Sequence, residues 1–361
     1  MENNNYELKE DVMTGSNSNN TPLRYFFYHF KESFLRLLIM CIISANVMFY
    51  SVDKIGRKLE FSSSSYVVLL GIAAFFLPQL ELKQFKNRRN LDLWYQMPIK
   101  RRTLGLIHYL NALVQVVLAY LVGSVLVCLR VVDAGYNPIG IIGLIFVTTL
   151  AFALILGYNM FIYDRANTHR DGWMFQIAYN CLVPSVLIAF AATFIRLAGW
   201  EELDYSGILS AIFFGPNIIM YKAAGLFEQI VADEFGFNTY SSFLVDVLDE
   251  NYVFTAIFCI LTIILTVGFI MWFGKTPSYK IEDVSDSWFG FKMLIPTFSV
   301  SSTLIMGSAA GVTFFMNAAL CYIAYAIYRR SPKIRRKDIL MIIALSVFCI
   351  VWSIICEALW D

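Results

Sequence analysis

Charged residues are scarce in this chain of 361 residues: Asp, Glu, Lys and Arg make up 15%, against 58% hydrophobic and 16% aromatic residues. A typical soluble domain has about 25% charged residues, so the composition excludes an ordinary soluble protein and predicts an integral membrane protein. The first 21 residues are polar and lack the basic start and apolar run of a signal peptide. We expect residues 1–21 to form a disordered cytoplasmic tail.

Patterns typical of catalytic and cofactor sites are also missing. The sequence has no Gly-rich phosphate loop ending in Lys and Ser or Thr, no HExxH pattern and no Cys pair at metal-binding spacing. Its seven cysteines lie in apolar segments, where a thiol behaves as a small hydrophobic group. We therefore predict that the chain is not an enzyme, and that it has no catalytic or metal-binding residues, no bound cofactor and no nucleic-acid partner.

Long apolar segments account for most of the chain. A helix needs about 20 apolar residues to cross the hydrocarbon core of a membrane, and clear spans are predicted at 34–52, 62–80, 104–132, 139–163, 176–195, 251–273 and 338–357. The stretch 293–328 is too long for one span and has basic residues at both ends. We predict a short helical hairpin that turns near Gly307–Gly311; a GxxxG helix contact at the same residues is the alternative. The fold class is therefore all-α, a polytopic membrane protein with about nine transmembrane helices.

The loops between these segments divide the charges unequally. If the loop at 81–103 is cytoplasmic and the sides alternate, the inner loops hold 22 basic and 13 acidic residues, and the outer loops hold 6 and 14. Lys and Arg in short loops favour the cytoplasmic side. We predict a multi-pass protein of the cell (plasma) membrane with a cytoplasmic N-terminus and an extracellular C-terminus.

Two further segments adjoin the predicted spans. Residues 22–33 place Leu23 and three phenylalanines at helical spacing, which predicts an interfacial helix on the cytoplasmic side; an extension of the first span is the alternative. The outer region 196–250 contains two short apolar runs separated by Gly215 and Pro216, which predicts a pair of re-entrant helices. The acidic residues of this region form either a solvated surface or a docking site for cationic compounds.

The third span has a face of polar and small residues. His108, Asn111, Gln115, Ala119 and Gly123 follow one another at helical spacing. Such a face lines either a translocation path or a close contact between helices, in which amides hydrogen-bond to neighbouring helices. We keep both alternatives for Asn111, Gln115, Ala119 and Gly123.

The inner loop 81–103 is the most distinctive segment. It has seven basic residues against two acidic ones, with aromatic and aliphatic residues between them, which predicts an amphipathic helix that ends before Pro98. Such a helix binds either a protein partner or anionic membrane lipid. The candidate binding residues are Phe85, Arg88, Arg89, Leu91, Trp94, Tyr95, Met97, Pro98, Lys100 and Arg101.

The residues MPIKRRTL, Met97 to Leu104, resemble a signature of the type-2 ABC transporter permeases, which lies just before the third span. The order of elements in 22–273 is also similar to that family: an interfacial helix, six spans and a re-entrant pair before the sixth. Residues 282–296 resemble a Gram-positive subgroup of multidrug or antibiotic-related permeases. The resemblance implies a six-span permease core at 34–273 and a C-terminal extension at 274–361, with the hairpin 293–328 and a last span at 338–357.

The resemblance also implies a function and partners. Loop 81–103 would be the coupling loop that docks on a separate cytoplasmic ABC ATPase, which binds ATP and Mg, and a second permease would complete a homodimer or heterodimer. The expected cargo is amphipathic or hydrophobic: a drug, an antimicrobial peptide or an envelope component. The alternative is a membrane sensor or assembly protein whose basic loop binds lipid or a regulatory partner. A secondary transporter ranks third, because the predicted spans lack central Asp, Glu, Lys or Arg.

Overall fold

The computed structural model describes residues 21–50, 52–55, 58–61, 64–86, 99–133, 138–166, 169, 172–173, 175–180, 219–220, 223–224, 238–239, 252–273, 291–329 and 331–360. Several predicted segments lie outside the described residues. They are the tail up to residue 20, the central part of the coupling loop at 87–98, most of the span 176–195 and most of the outer region 196–250. The chain divides into two compact units, Met1–Trp173 with Pro216–Thr276, and Met174–Gly215 with Pro277–Asp361.

The first unit contains six described helices. They are α1 (Thr21–Glu32), α2 (Phe34–Tyr50), α3 (Ser64–Leu82), α4 (Arg101–Asp133), α5 (Ile139–Asp164) and α6 (Tyr252–Trp272). A 3-10 turn, Lys83–Lys86, follows α3. The helices coincide with apolar runs of the sequence, because a backbone in a lipid environment must satisfy its hydrogen bonds within each helix.

Close helix packing in the first unit depends on small residues. A side chain at Gly123 of α4 would overlap Ser44 and Met48 of α2, with 2.8 Å between its Cβ and Met48 Cγ. A side chain at Gly157 of α5 would overlap Thr266 of α6, whose hydroxyl also bonds to the Leu154 carbonyl at 3.3 Å. At each of these two contacts, α2 with α4 and α5 with α6, the helices are so close that the glycine hydrogen fits between them but a methyl group does not.

Three short strands add a small sheet to the helices of the first unit. Strands β1 (Val52–Ile55) and β2 (Lys58–Phe61) pair antiparallel, with Val52 opposite Phe61 and Ile55 opposite Lys58. Strand β3 (Asn238–Thr239) pairs parallel with β2. These strands are not predicted from the sequence; they join the loop after α2 to the outer region 196–250.

The second unit contains α7 (Phe291–Met306), α8 (Ala310–Arg329) and α9 (Arg336–Trp360). The 3-10 turn Gly307–Ala309 separates α7 from α8, and Gly307 has a φ of 56°, which glycine adopts without a steric penalty. Ser299 contacts Cys321 at 3.3 Å, and Ser302 contacts Asn317 at 3.5 Å. Ser302, the closer of the two to the turn on α7, pairs with Asn317, and the more distant Ser299 pairs with the more distant Cys321. Helices α7 and α8 therefore run antiparallel.

Helix α9 packs against both arms of this hairpin. Thr303 of α7 contacts the Cys349 sulfur at 2.9 Å, and Asn317 of α8 contacts the same sulfur at 3.9 Å. Cys321, Tyr325 and Leu345 form a small buried core between α8 and α9. Gly311 of α8 lies against Ser353 of α9, so the GxxxG residues include both a turn and a helix contact.

Four described helices are long and apolar enough to cross a membrane: Val67–Lys86, Arg101–Asp133, Ile139–Asp164 and Arg336–Ala358. Helices α1 and α2 meet the requirement together but are bent by 58°, and two shorter apolar helices lie at Cys259–Trp272 and Phe314–Ile323. The described part of the chain is thus predominantly helical and fits an all-α membrane protein. The count of nine spans stays a prediction.

Candidate functional site

A buried carboxylate, Glu81 at the end of α3, is the centre of the most concentrated polar cluster among the described residues. Its side chain has no exposed surface, and both oxygens accept hydrogen bonds. Oε2 lies 2.7 Å from His29 Nε2 and 3.1 Å from His108 Nδ1. Oε1 accepts from Arg36 and, at 2.9 Å, from the Asn111 amide. We call these residues, together with the adjoining Tyr25, Ser33 and Gln115, the Glu81 cluster.

Four helices supply the Glu81 cluster. Tyr25 and His29 lie on α1, Arg36 on α2, Glu81 on α3, and the remaining residues mostly on α4. Residues four apart share one face of a helix, which explains why Tyr25 and His29 both point toward α3 and α4. The opposite face of α1 exposes Leu23 and Phe27, which are 58% and 61% exposed, as expected for a helix whose apolar side contacts lipid.

The charges of the Glu81 cluster balance. Glu81 has one negative charge, Arg36 has one positive charge, and a neutral imidazole can donate a ring N–H to the carboxylate. With His108 Nδ1 as donor, His108 Nε2 accepts from the Tyr25 hydroxyl, which lies 3.2 Å away. A buried ion pair is tolerated when such additional hydrogen bonds satisfy both ions. The cluster can therefore hold α1, α3 and α4 together, and it also concentrates ionisable groups and metal ligands in one place.

The predicted polar face of the third span contributes directly to this cluster. Gln115 accepts a hydrogen bond from Arg36 Nε at 2.7 Å and donates one to Ser33 Oγ at 2.6 Å. Asn111 and Gln115 are fully buried, Ala119 is 4% exposed, and Gly123 packs on Ser44. The observed partners belong to this chain, as in the interhelical contact that the sequence analysis kept as an alternative. The translocation path through these residues stays a prediction.

The described start of the predicted coupling loop is anchored to the helices. Phe85 packs edge-on against His108 and Phe273, with ring centroids 4.9 Å and 5.3 Å away. Lys86 Nζ donates to the carbonyls of Asp164 and Ala166 at 2.7 Å and 2.5 Å, where a cation is favoured by the C-terminal end of α5. At the other end, Lys100 and Arg101 are exposed. The loop thus begins at a point fixed to α4, α5 and the end of α6.

The remaining predicted site residues are not among those described. Arg88, Arg89, Leu91, Trp94, Tyr95, Met97 and Pro98 lie in 87–98, and Gly215 and Pro216 lie in the outer region. Their roles in ATPase docking and in the re-entrant break stay predictions.

His169, the third histidine of the chain, has a different environment. It lies after α5, where Trp173 Nε1 donates to its Nε2 at 3.3 Å and its Nδ1 is 2.6 Å from the Tyr163 hydroxyl. Partial burial and the nearby charge of Lys83 lower the pKa of His169 below its usual value. A neutral imidazole fits these partners, because Nε2 must be free of a proton to accept from Trp173.

Sequence reasoning missed Glu81, His29, Arg36 and Tyr25 as members of one site. Glu81 is one of the two acidic residues of the inner loop 81–103, and charge patterning alone gives it no partner. One available signal is that two of the three histidines, His29 and His108, occur beside or within apolar segments, where an ionisable residue needs a partner.

Comparisons with family models, with curated proteins and with solved structures find no match to this chain.

Proposed function

We propose that this chain is the membrane permease subunit of an ATP-driven exporter of the type-2 ABC class, energised by a separate cytoplasmic ATPase. The cargo is amphipathic or hydrophobic. A second permease, identical or paralogous, faces the first, and loop 81–103 docks on the ATPase. The MPIKRRTL segment and the order of elements support the proposal at the sequence level.

One structural observation carries the proposal furthest: the two helices that flank the loop are bound to each other and to α1. Glu81 lies in the last turn of α3, where the loop begins, and His108 lies two turns into α4, after the loop. Glu81 and His108 contact each other, Glu81 contacts His29 of α1, and His108 contacts Tyr25 of α1. Lys86 adds a bond to the end of α5. A displacement of the loop by an ATPase would therefore move several helices together, which is what rigid-body switching between two access states requires.

Co-purification with an ATPase tests this proposal. The tagged chain is expressed with each ABC ATPase encoded by the same genome, and the recovered complex is assayed for ATP hydrolysis. Trp94→Ala or Tyr95→Ala should reduce recovery of the ATPase at least tenfold, because buried aromatic anchors contribute about 2 kcal/mol or more at interface hot spots. Arg88→Ala combined with Arg89→Ala is the matched control in the same loop and should reduce recovery less.

Two results would contradict the coupling role of the loop. If the aromatic variants bind the ATPase normally and the arginine variant alone loses affinity for vesicles of anionic lipid, the loop is a lipid anchor, as in the sensor or assembly alternative. If no encoded ATPase co-purifies with the unmodified chain, the permease proposal fails.

The burial of Glu81 and His108 favours a second candidate, a proton-coupled secondary transporter. Ionisable residues buried within membrane proteins commonly mark proton pathways, and the sequence analysis ranked this class low because such residues were not recognised. Liposomes that contain this chain alone would then take up protons when a cargo gradient is applied. Glu81→Gln would abolish that uptake.

A further inference from the structure

We infer that the Glu81 cluster is a binding site for one divalent transition-metal ion of the Zn²⁺ class, with His29 Nε2, His108 Nδ1 and Glu81 Oε2 as ligands. These three atoms lie within 4.8 Å of one another. They come from three different helices, so no spacing pattern in the sequence could have indicated the site. Two histidines and a carboxylate form a ligand set that leaves a fourth position open, as in many zinc sites.

The geometry requires small adjustments. Ligand atoms about 2.1 Å from a tetrahedral zinc are separated by about 3.4 Å, whereas Glu81 Oε2 is 2.7 Å from His29 Nε2 and 3.1 Å from His108 Nδ1. His29 Nε2 would therefore move about 0.7 Å, and His108 Nδ1 about 0.3 Å, away from Glu81 Oε2. His29 is partly exposed, with 13% of its side chain accessible, so the ligand that must move most is also the least confined.

The groups around the three ligands are arranged as a supporting shell. Ligating imidazoles usually hydrogen-bond through their second nitrogen, and ligating carboxylates through their second oxygen. Here the Tyr25 hydroxyl meets His108 Nε2 at 3.2 Å, and Arg36 and Asn111 bond to Glu81 Oε1. When the ion binds, the His108 proton shifts from Nδ1 to Nε2 and Tyr25 becomes the acceptor. No proton has to leave the imidazole.

Asn111, which bonds to Glu81, has one buried acceptor left unpaired among the described residues. Its amide nitrogen is fixed by Glu81, but its buried oxygen Oδ1 has no hydrogen-bond partner within the described part of the chain. If the amide nitrogen and oxygen of Asn111 were exchanged, its oxygen would face the Glu81 Oε1 acceptor. The atom without a partner is therefore the oxygen. An unpaired buried acceptor is costly. Water held in the fourth coordination position of the ion would be a donor of the kind that this oxygen lacks.

Arg36 limits the affinity that we expect. It already neutralises Glu81, so the ion adds positive charge that the carboxylate does not fully compensate. We therefore expect micromolar affinity rather than the tight binding of a structural zinc site, and a preference for ions that favour imidazole ligands.

Cobalt binding provides the direct test. The full chain, purified in detergent with a tag free of histidine and stripped with a chelator, is titrated with CoCl₂ while the visible absorption of coordinated Co²⁺ is recorded. We expect one Co²⁺ per chain, displaced by one equivalent of Zn²⁺. His29→Gln and Glu81→Gln should abolish the spectrum. Tyr25→Phe should weaken Co²⁺ binding about tenfold, which is the lower end of the loss in affinity typical when a ligand's supporting hydrogen bond is removed.

The third histidine supplies the matched control. His169→Gln removes an imidazole outside the cluster and should leave stoichiometry and affinity unchanged. Because His29 lies on the partly exposed α1, its glutamine variant is the one best suited to fold normally, which size-exclusion chromatography checks. If the unmodified chain gives no cobalt spectrum at saturating metal, or if His29→Gln binds as well as the unmodified chain, the cluster is a hydrogen-bonded network only. ATPase co-purification is measured separately, so this result would not affect the permease proposal.

Discussion

At the residue scale, Gln115 occupies a position where one amide serves two helices. Its oxygen accepts from Arg36 of α2 at 2.7 Å, and its nitrogen donates to Ser33 at the junction of α1 and α2 at 2.6 Å. A leucine has a similar size but no polar atoms, so it removes both bonds and leaves the Arg36 donor without this acceptor.

We predict that Gln115→Leu lowers the free energy of unfolding by about 1–3 kcal/mol, the usual cost of leaving a buried polar partner unsatisfied. The melting temperature in detergent measures this effect. Asn46→Leu is the matched control, because Asn46 bonds within α2 to the Ile42 carbonyl and is exposed. Unchanged stability combined with altered cargo-stimulated ATP hydrolysis would instead place Gln115 on the translocation path.

At the element scale, the contact between α5 and α6 depends on a glycine. A Cβ at Gly157 would lie 2.6 Å from Thr266 Cβ, closer than non-bonded carbon atoms approach. Thr266 is also held by hydrogen bonds to Thr262 and Leu154. The two helices would have to separate to accommodate even one methyl group.

Gly157→Ala should therefore destabilise the protein by about 1–3 kcal/mol, the typical cost of overpacking a tight contact. Gly268→Ala, on α6, is the control: its added Cβ would lie 3.2 Å from the edge of the Phe161 ring, which needs only a slight shift. Thermal unfolding of both variants in the same detergent compares them. Equal melting temperatures would show that α5 and α6 can move apart without loss.

At the scale of the whole molecule, the distribution of charge predicts how the chain crosses the membrane. The stretch 293–328 has basic residues at both ends, and the structure places the turn Gly307–Ala309 between two antiparallel helices. An even number of crossings would keep both ends of this hairpin in the cytoplasm. The last helix, α9, would then end outside.

Thiol labelling of intact cells tests this topology. In a background without the seven native cysteines, Arg88→Cys and Lys333→Cys should be protected from a membrane-impermeant reagent, and Glu234→Cys should be labelled. Permeabilised cells, in which all three should react, provide the control. Labelling of residue 333 in intact cells would exclude the two crossings predicted for 293–328, and protection of residue 234 would reverse the orientation of the outer region.

The sequence by itself determined the apolar helices and the contrast between its loops. An apolar run of membrane length must form a helix because its backbone has no other hydrogen-bond partner in lipid, and the described α4 and α5 begin and end within three residues of the predicted spans. The number of spans, the coupling loop and the outer region remain predictions.

Only the tertiary structure decided what the polar residues do. His29 and Glu81 are 52 positions apart, and Glu81 and His108 are 27 apart, so no local pattern joins them. A helical period identifies which residues share a face, but it does not identify the partner of that face. The bend between α1 and α2 brings Tyr25 and His29 to the ends of α3 and α4, and burial there makes Glu81 pair with Arg36 and both histidines. The sequence placed Glu81 in a cytoplasmic loop because charge favours water; its four hydrogen-bonding neighbours, one of them the cation Arg36, allow it to be buried instead.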